Sequence, residues 1–205
     1  MLKRISIAAA LLAASAAPAF AHLDPAEHGS FMAGVSHPLF GADHILAMVA
    51  VGLWAALLAQ GADHRIPNRR ALWLVPAAFV GTIALGFTAA LLAVPLPFVE
   101  PVILASVVVI GLLAAVALNV PTAIAMVMVG FFAFFHGHAH GGELGSAGAL
   151  TFGIGFALST AALHLAGIGL GLGLGSMFGD GIGRFATRIA GGATALGGLW
   201  LALGA

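Results

Sequence analysis

The sequence predicts an all-α integral membrane protein, a six-transmembrane-helix bundle that remains after removal of a signal peptide. Three observations predict it. Of 205 residues, 61% are hydrophobic and 7% are charged, whereas a soluble domain carries about 25% charged residues. The apolar residues gather into runs of roughly 20, the length needed to cross ~30 Å of hydrocarbon as helix. These runs are too long and continuous for barrel strands, and backbone groups in lipid must be satisfied within the segment.

The same composition excludes several classes. It cannot cover a water-facing surface, so a cytosolic globular enzyme and a disordered chain are ruled out. Seven Lys+Arg stand against seven Asp+Glu, which leaves no basic patch for phosphates and so no nucleic-acid partner. Cysteine is absent, and with it disulfides, thiolate metal sites, Fe–S clusters and cysteine nucleophiles.

The elements follow in order. Lys3 and Arg4 precede an apolar run from Ile5 to Ala14, and small residues lead to Ala19-Phe20-Ala21. This is the pattern of a cleavable secretory signal over 1–21, against the alternative of an uncleaved anchor. The transmembrane domain then covers 22–205, begins at His22, and is mildly acidic. Spans are expected at 38–60, 71–94, 100–118, 121–140, 148–176 and 185–204. Pro38, Pro101 and Pro121 sit near helix starts, where a missing N–H costs nothing. Arg65, Arg69 and Arg70 fall between spans one and two, and Arg184 and Arg188 flank the start of span six. These basic loops share one side, which the positive-inside rule makes cytoplasmic. Both mature termini are then periplasmic, in agreement with the signal peptide. Trp54, Trp73 and Trp200 lie near span ends, as belt residues do. Gly167, Gly171 and Gly175 repeat every fourth residue, with Gly169 and Gly173 as a second row, a pattern of close helix packing. Gly-Ala-Asp-His occurs at 41–44 and again at 61–64, and the recurrence is read as chance.

Nine histidines are the unusual feature. Span one opens with His37-Pro38-Leu39-Phe40-Gly41-Ala42-Asp43-His44, span four ends with His136-Gly137-His138-Ala139-His140-Gly141-Gly142-Glu143, and His164 interrupts span five. On a continuous helix His37 and His44 share a face with Met48, and His44 lies roughly 10 Å deeper than His37. His136, His140 and Glu143 share a face if the helix survives Gly137 and Gly141, while His138 points elsewhere. Both clusters lie on the external side, and His164 lies deeper, so the polar groups form a descending ladder. An ionised Asp43 in a span costs on the order of 3 kcal/mol, and no Lys or Arg lies in a span core to pair with it. Histidines or a metal ion are the remaining partners. A carboxylate with several imidazoles suits Ni, Co or Zn. His22, His28, His64 and His138 read as solvated or interfacial, with His22, His28 and His138 as possible residues of ion capture at the mouth.

His-Pro-x-x-Gly-x-Asp-His at 37–44, Phe-His-Gly-x-Ala-His-Gly-x-Glu at 135–143 and Leu-His-x-x-Gly at 163–167 resemble the signatures of the HupE/UreJ family, and the resemblance covers nearly the whole mature chain. It implies a secondary permease for nickel, sometimes cobalt, in the bacterial inner membrane, serving nickel enzymes such as hydrogenase or urease. Carried over by position, it implicates His37, Asp43, His44, His136, His140 and Glu143, with His164 less firmly; His138 occupies a variable position. No permanent cofactor is implied, only transported Ni2+ or Co2+. The implied partners are that divalent ion, the lipid bilayer and cytoplasmic nickel chaperones of hydrogenase or urease maturation.

Rival classes are a haem-binding membrane cytochrome, a metal-sensing or accessory subunit, and an intramembrane protease. Leu144-Gly145-Ser146 does not meet G-x-S-x-G, H-E-x-x-H is absent, and a retinal protein needs a membrane lysine. No ATP-binding motif is present, so transport would draw on a gradient or an external partner.

Overall fold

The computed structural model describes residues 31–61, 68–143 and 148–204. The expected signal peptide 1–21, with His22, His28, His64, Arg65 and Ser146, lies outside the described residues, as does the Glu143 side chain. Among the described residues the chain is all-helical: α1 (Phe31–Phe40), α2 (Ala42–Gln60), α3 (Ala71–Leu91), α4 (Val99–Ala115), α5 (Thr122–Glu143), α6 (Ala149–Phe178) and α7 (Asp180–Ala202).

Four of these, α2, α3, α5 and α6, are long and apolar enough to cross a membrane. The 17-residue α4 is a shorter apolar helix, and α7 carries Asp180, Arg184 and Arg188. The chain is a multi-pass membrane protein.

Every segment expected as a span is helical, with one break. The first span is not continuous: α1 and α2 meet at Gly41, whose backbone is extended at φ −80° and ψ 114°. Pro38 is therefore not at a helix start but inside α1, buried. The bonds from Gly41 N–H to the His37 carbonyl (3.1 Å) and from Ile45 N–H to the Gly41 carbonyl (3.0 Å) bridge the break. α3 and α4 stop short of the expected ends at 94 and 118. Ala93 and Ala117 adopt left-handed backbone (φ 55° and 51°). There Val94 N–H reaches the Ala89 carbonyl and Leu118 N–H the Leu113 carbonyl, each closing its helix.

α2 is the central helix. From Ala47 to Ala59 it is buried almost all round, as expected of a helix apolar on every face. The surrounding helices instead turn Leu85, Val127, Leu158 and Leu196 outward, an exposed apolar surface that suits lipid. Trp54 is not a belt residue: it is fully buried in α2 and donates from Nε1 to the Leu118 carbonyl at 2.9 Å. Trp73 and Trp200 are exposed near helix ends.

Glycines set the closest approaches. α2 lies along α6 at Gly52 and Gly167, with Ala56 against Gly171 further on, so the two helices run parallel. α3 and α5 also run parallel, with Gly137 against Ile83 and Gly141 against Phe87. α4 and α7 are antiparallel, Gly111 meeting Ala195 and Gly191 meeting Ala115. Of the two glycine rows in α6, only the one containing Gly167 and Gly171 packs tightly. A Cβ added at Gly169 or Gly173 would meet nothing within 4 Å among the described residues, because these positions lie on the opposite side of the helix.

The described arginines collect at one end. Arg184 donates to the Gly61 carbonyl at 3.1 Å and Arg188 to the Ala115 carbonyl at 2.8 Å. Each completes a helix C-terminus whose carbonyls lack intrahelical partners. Asn68, just before Arg69 and Arg70, bonds Thr122 at the start of α5. His37, His44 and His140 gather at the other end of α2.

Candidate metal site

The break at Gly41 builds the site. It ends α1 just after His37 and starts α2 just before Asp43, so both side chains turn to one place. Asp43 sits in the first turn of α2, where the helix dipole favours a carboxylate. A Cβ on Gly41 would lie 2.9 Å from His44 Nδ1 and 3.1 Å from Asp43 Oδ1. Glycine at this position thus leaves room for both groups. The φ is ordinary for any residue, so Gly41→Ala acts by crowding. It is expected to weaken metal binding about tenfold with unchanged helical content, checked by calorimetric titration with Ni2+ and circular dichroism.

His44 is the hub. Its Nδ1 lies 2.9 Å from Asp43 Oδ2 and its Nε2 lies 2.8 Å from His140 Nε2. Two imidazole nitrogens that close need one proton or one cation between them. Ligands held about 2.0–2.1 Å from one ion stand roughly 3 Å apart, so an ion can replace that proton with little movement. His37 completes the set: His37, His44 and His140 each offer a ring nitrogen, all within 4.8 Å of one another. The His37 ring is 4.3 Å from that of His140 and 5.2 Å from that of His44. The His37 and His44 rings are therefore closer than the roughly 10 Å step expected along a continuous helix, because the helix is broken between them.

Phe156 of α6 walls this cluster, its ring 4.9 Å from His140, 5.8 Å from His44 and 6.0 Å from His37. α5 remains helical through Gly137 and Gly141, so His136 lies one turn from His140 on the same face. The His136 ring is 5.1 Å from that of His44, fully buried, with Nε2 3.0 Å from Ser106 Oγ. His164 lies two turns beyond Phe156 along α6 and is buried against Phe79, ring to ring at 5.0 Å. Neither ring nitrogen of His164 has a hydrogen-bond partner among the described residues, and the same holds for Ser159 Oγ and Thr160 Oγ1. Buried polar atoms without partners are costly, and these three residues lie within two turns of one another on α6.

The remaining expected residues fall elsewhere. His138 is on another face of α5 and bonds the Val94 carbonyl at 2.7 Å. Glu143 ends α5, and its side chain, like His22 and His28, is outside the described residues. Sequence reasoning missed Ser106, Phe79, Phe152 and Phe156. Only Ser106 carried a signal, as a lone hydroxyl in the apolar run of α4.

The family described as HupE / UreJ protein matches residues 9–201. "Protein HupE" of Rhizobium leguminosarum bv. viciae is 42% identical over 195 residues, covering 94% of this chain and 95% of that protein. No solved structure matches. With its motif histidines gathered at the break between α1 and α2, the chain belongs to the HupE/UreJ family, a family of transporters and not of enzymes.

Proposed function

We infer that the protein is a secondary permease that carries Ni2+ from the periplasm to the cytoplasm of a bacterial inner membrane, where nickel enzymes such as hydrogenase or urease use it. The observation that carries this reading is the convergence of His37, His44 and His140 beside Asp43, at the end of the bundle opposite the arginines. Neutral imidazoles with one carboxylate form a borderline donor set for Ni2+, and Co2+ takes the same ligands. In this reading α1 and α2 make a broken first pass and five passes follow. The signal peptide is removed, and both mature termini face the periplasm.

The ion enters the three-histidine site with Asp43 balancing part of its charge. It then passes His136 and reaches His164, which lies near the middle of α6. Ligands must be unprotonated to bind, and binding must stay weak enough for release. Glu143, His22 and His28 would concentrate ions at the mouth; His138, bonded to Val94, is left as a peripheral capture residue. Cytoplasmic nickel chaperones would receive the cargo.

Radiolabelled Ni2+ uptake by the chain alone in a heterologous host, with Co2+ as competitor, tests the reading. Wild type is expected to accumulate Ni2+ and Asp43→Ala to lose that accumulation at equal membrane expression. Undiminished uptake by Asp43→Ala would sink the assignment, and no uptake by wild type would favour an accessory subunit.

A further inference from the structure

Ser106 of α4 is fully buried and touches two groups at once. Its Oγ lies 2.6 Å from the Ile103 carbonyl and 3.0 Å from His136 Nε2. A serine hydroxyl has one proton, and a carbonyl oxygen can only accept. Two oxygens 2.6 Å apart require that proton between them, so the hydroxyl donates to Ile103. Its lone pairs then face His136, and the 3.0 Å contact requires an N–H on Nε2. A neutral imidazole carries one N–H, so its lone pair is on Nδ1. That nitrogen is buried without a hydrogen-bond partner among the described residues.

We propose that Ser106 is a positioning residue that fixes His136 as the Nε2–H tautomer and thereby presents Nδ1 as the lone pair available to the transported ion. The proposal rests on the permease reading for its consequence, though not for its geometry. His136 stands beside His44 and one turn from His140, so it is the first imidazole beyond the three-histidine site. A metal ligand generally needs its second ring nitrogen anchored by an acceptor, which sets the tautomer and the ring orientation. Here the acceptor is a hydroxyl whose own proton is already committed to the backbone, so it cannot switch roles without losing the Ile103 bond. Without Ser106 the His136 ring can turn over and exchange tautomers, and part of the population then offers an N–H where the ion needs a lone pair.

The tautomer is read directly by side-chain 15N NMR of metal-free, full-length protein in nanodiscs, with His136→Asn assigning the signal. Wild type is expected to show His136 protonated at Nε2, and Ser106→Ala a mixture of tautomers. In proteoliposomes Ser106→Ala is expected to raise the KM for Ni2+ about tenfold. Ser106→Thr, whose hydroxyl can bond the same carbonyl, should restore both readouts; a merely space-filling role would predict no tautomer change and similar behaviour of Ala and Thr. An Nδ1–H tautomer in wild type, or an unchanged tautomer and KM in Ser106→Ala, overturns the proposal. If wild-type proteoliposomes take up no Ni2+, the permease reading fails while the NMR result still decides the tautomer.

Discussion

Replacing His44 with alanine is expected to reduce Ni2+ uptake by at least on the order of 100-fold. The reason is geometric. His44 is the residue that meets Asp43, His37, His136 and His140 together. Removing it deletes one of three converging nitrogens, strands the carboxylate from its neighbour and leaves His140 Nε2 without its 2.8 Å partner. Losing only an outer partner of a ligand commonly costs 10–100-fold, so loss of the ligand itself sets a larger floor. Uptake of radiolabelled Ni2+ at matched expression checks this, with Leu158→Ala as a control on the exposed face of α6. Uptake within a few-fold of wild type would show that the three histidines do not form the ion site.

The second large effect concerns packing. Gly52→Ala is expected to cost about 3 kcal/mol or more, the upper range for overpacking, and to deplete folded protein from the membrane. The added Cβ would strike the His164 carbonyl, the Ile168 nitrogen at 2.7 Å and Gly167 Cα at 2.8 Å. All three are backbone and cannot swing aside, so α2 and α6 must separate. Gly169→Ala on the same α6 meets nothing within 4 Å. It is expected to be neutral or to stabilise by up to about 1 kcal/mol, since alanine is the better helix former. Thermal unfolding in detergent compares the pair, and equal melting temperatures would refute the role given to the α2–α6 contact.

Most of the helix order was readable because long apolar runs between Pro, Gly and charged breaks leave few alternatives. His136 and His140 were readable as neighbours because four-residue spacing returns to one face of a helix. The break at Gly41 was not, although Pro38 and Gly41 are both helix-disrupting residues. Pro38 also suits a helix start, and only the packing of Gly34 and Gly155, which seats α1 on α6, decides otherwise. Trp54 and Ser106 were misjudged or missed for a related reason. Apolar periodicity says little about facing when a helix is apolar all round, so a tryptophan buried in α2 looks like one at the interface. Ala93 and Ala117 close their helices without the glycine that usually marks such an end.

The glycine contacts also divide the bundle mechanically. α1 and α2 are clamped to α6, and α3 is clamped to α5, each through backbone rather than flexible side chains. His37, Asp43, His44 and His164 ride on the first of these bodies, while His136 and His140 ride on the second. The short nitrogen–nitrogen distance between His44 and His140 therefore spans a seam between two stiff blocks. A cation seated there would cross-link the two blocks.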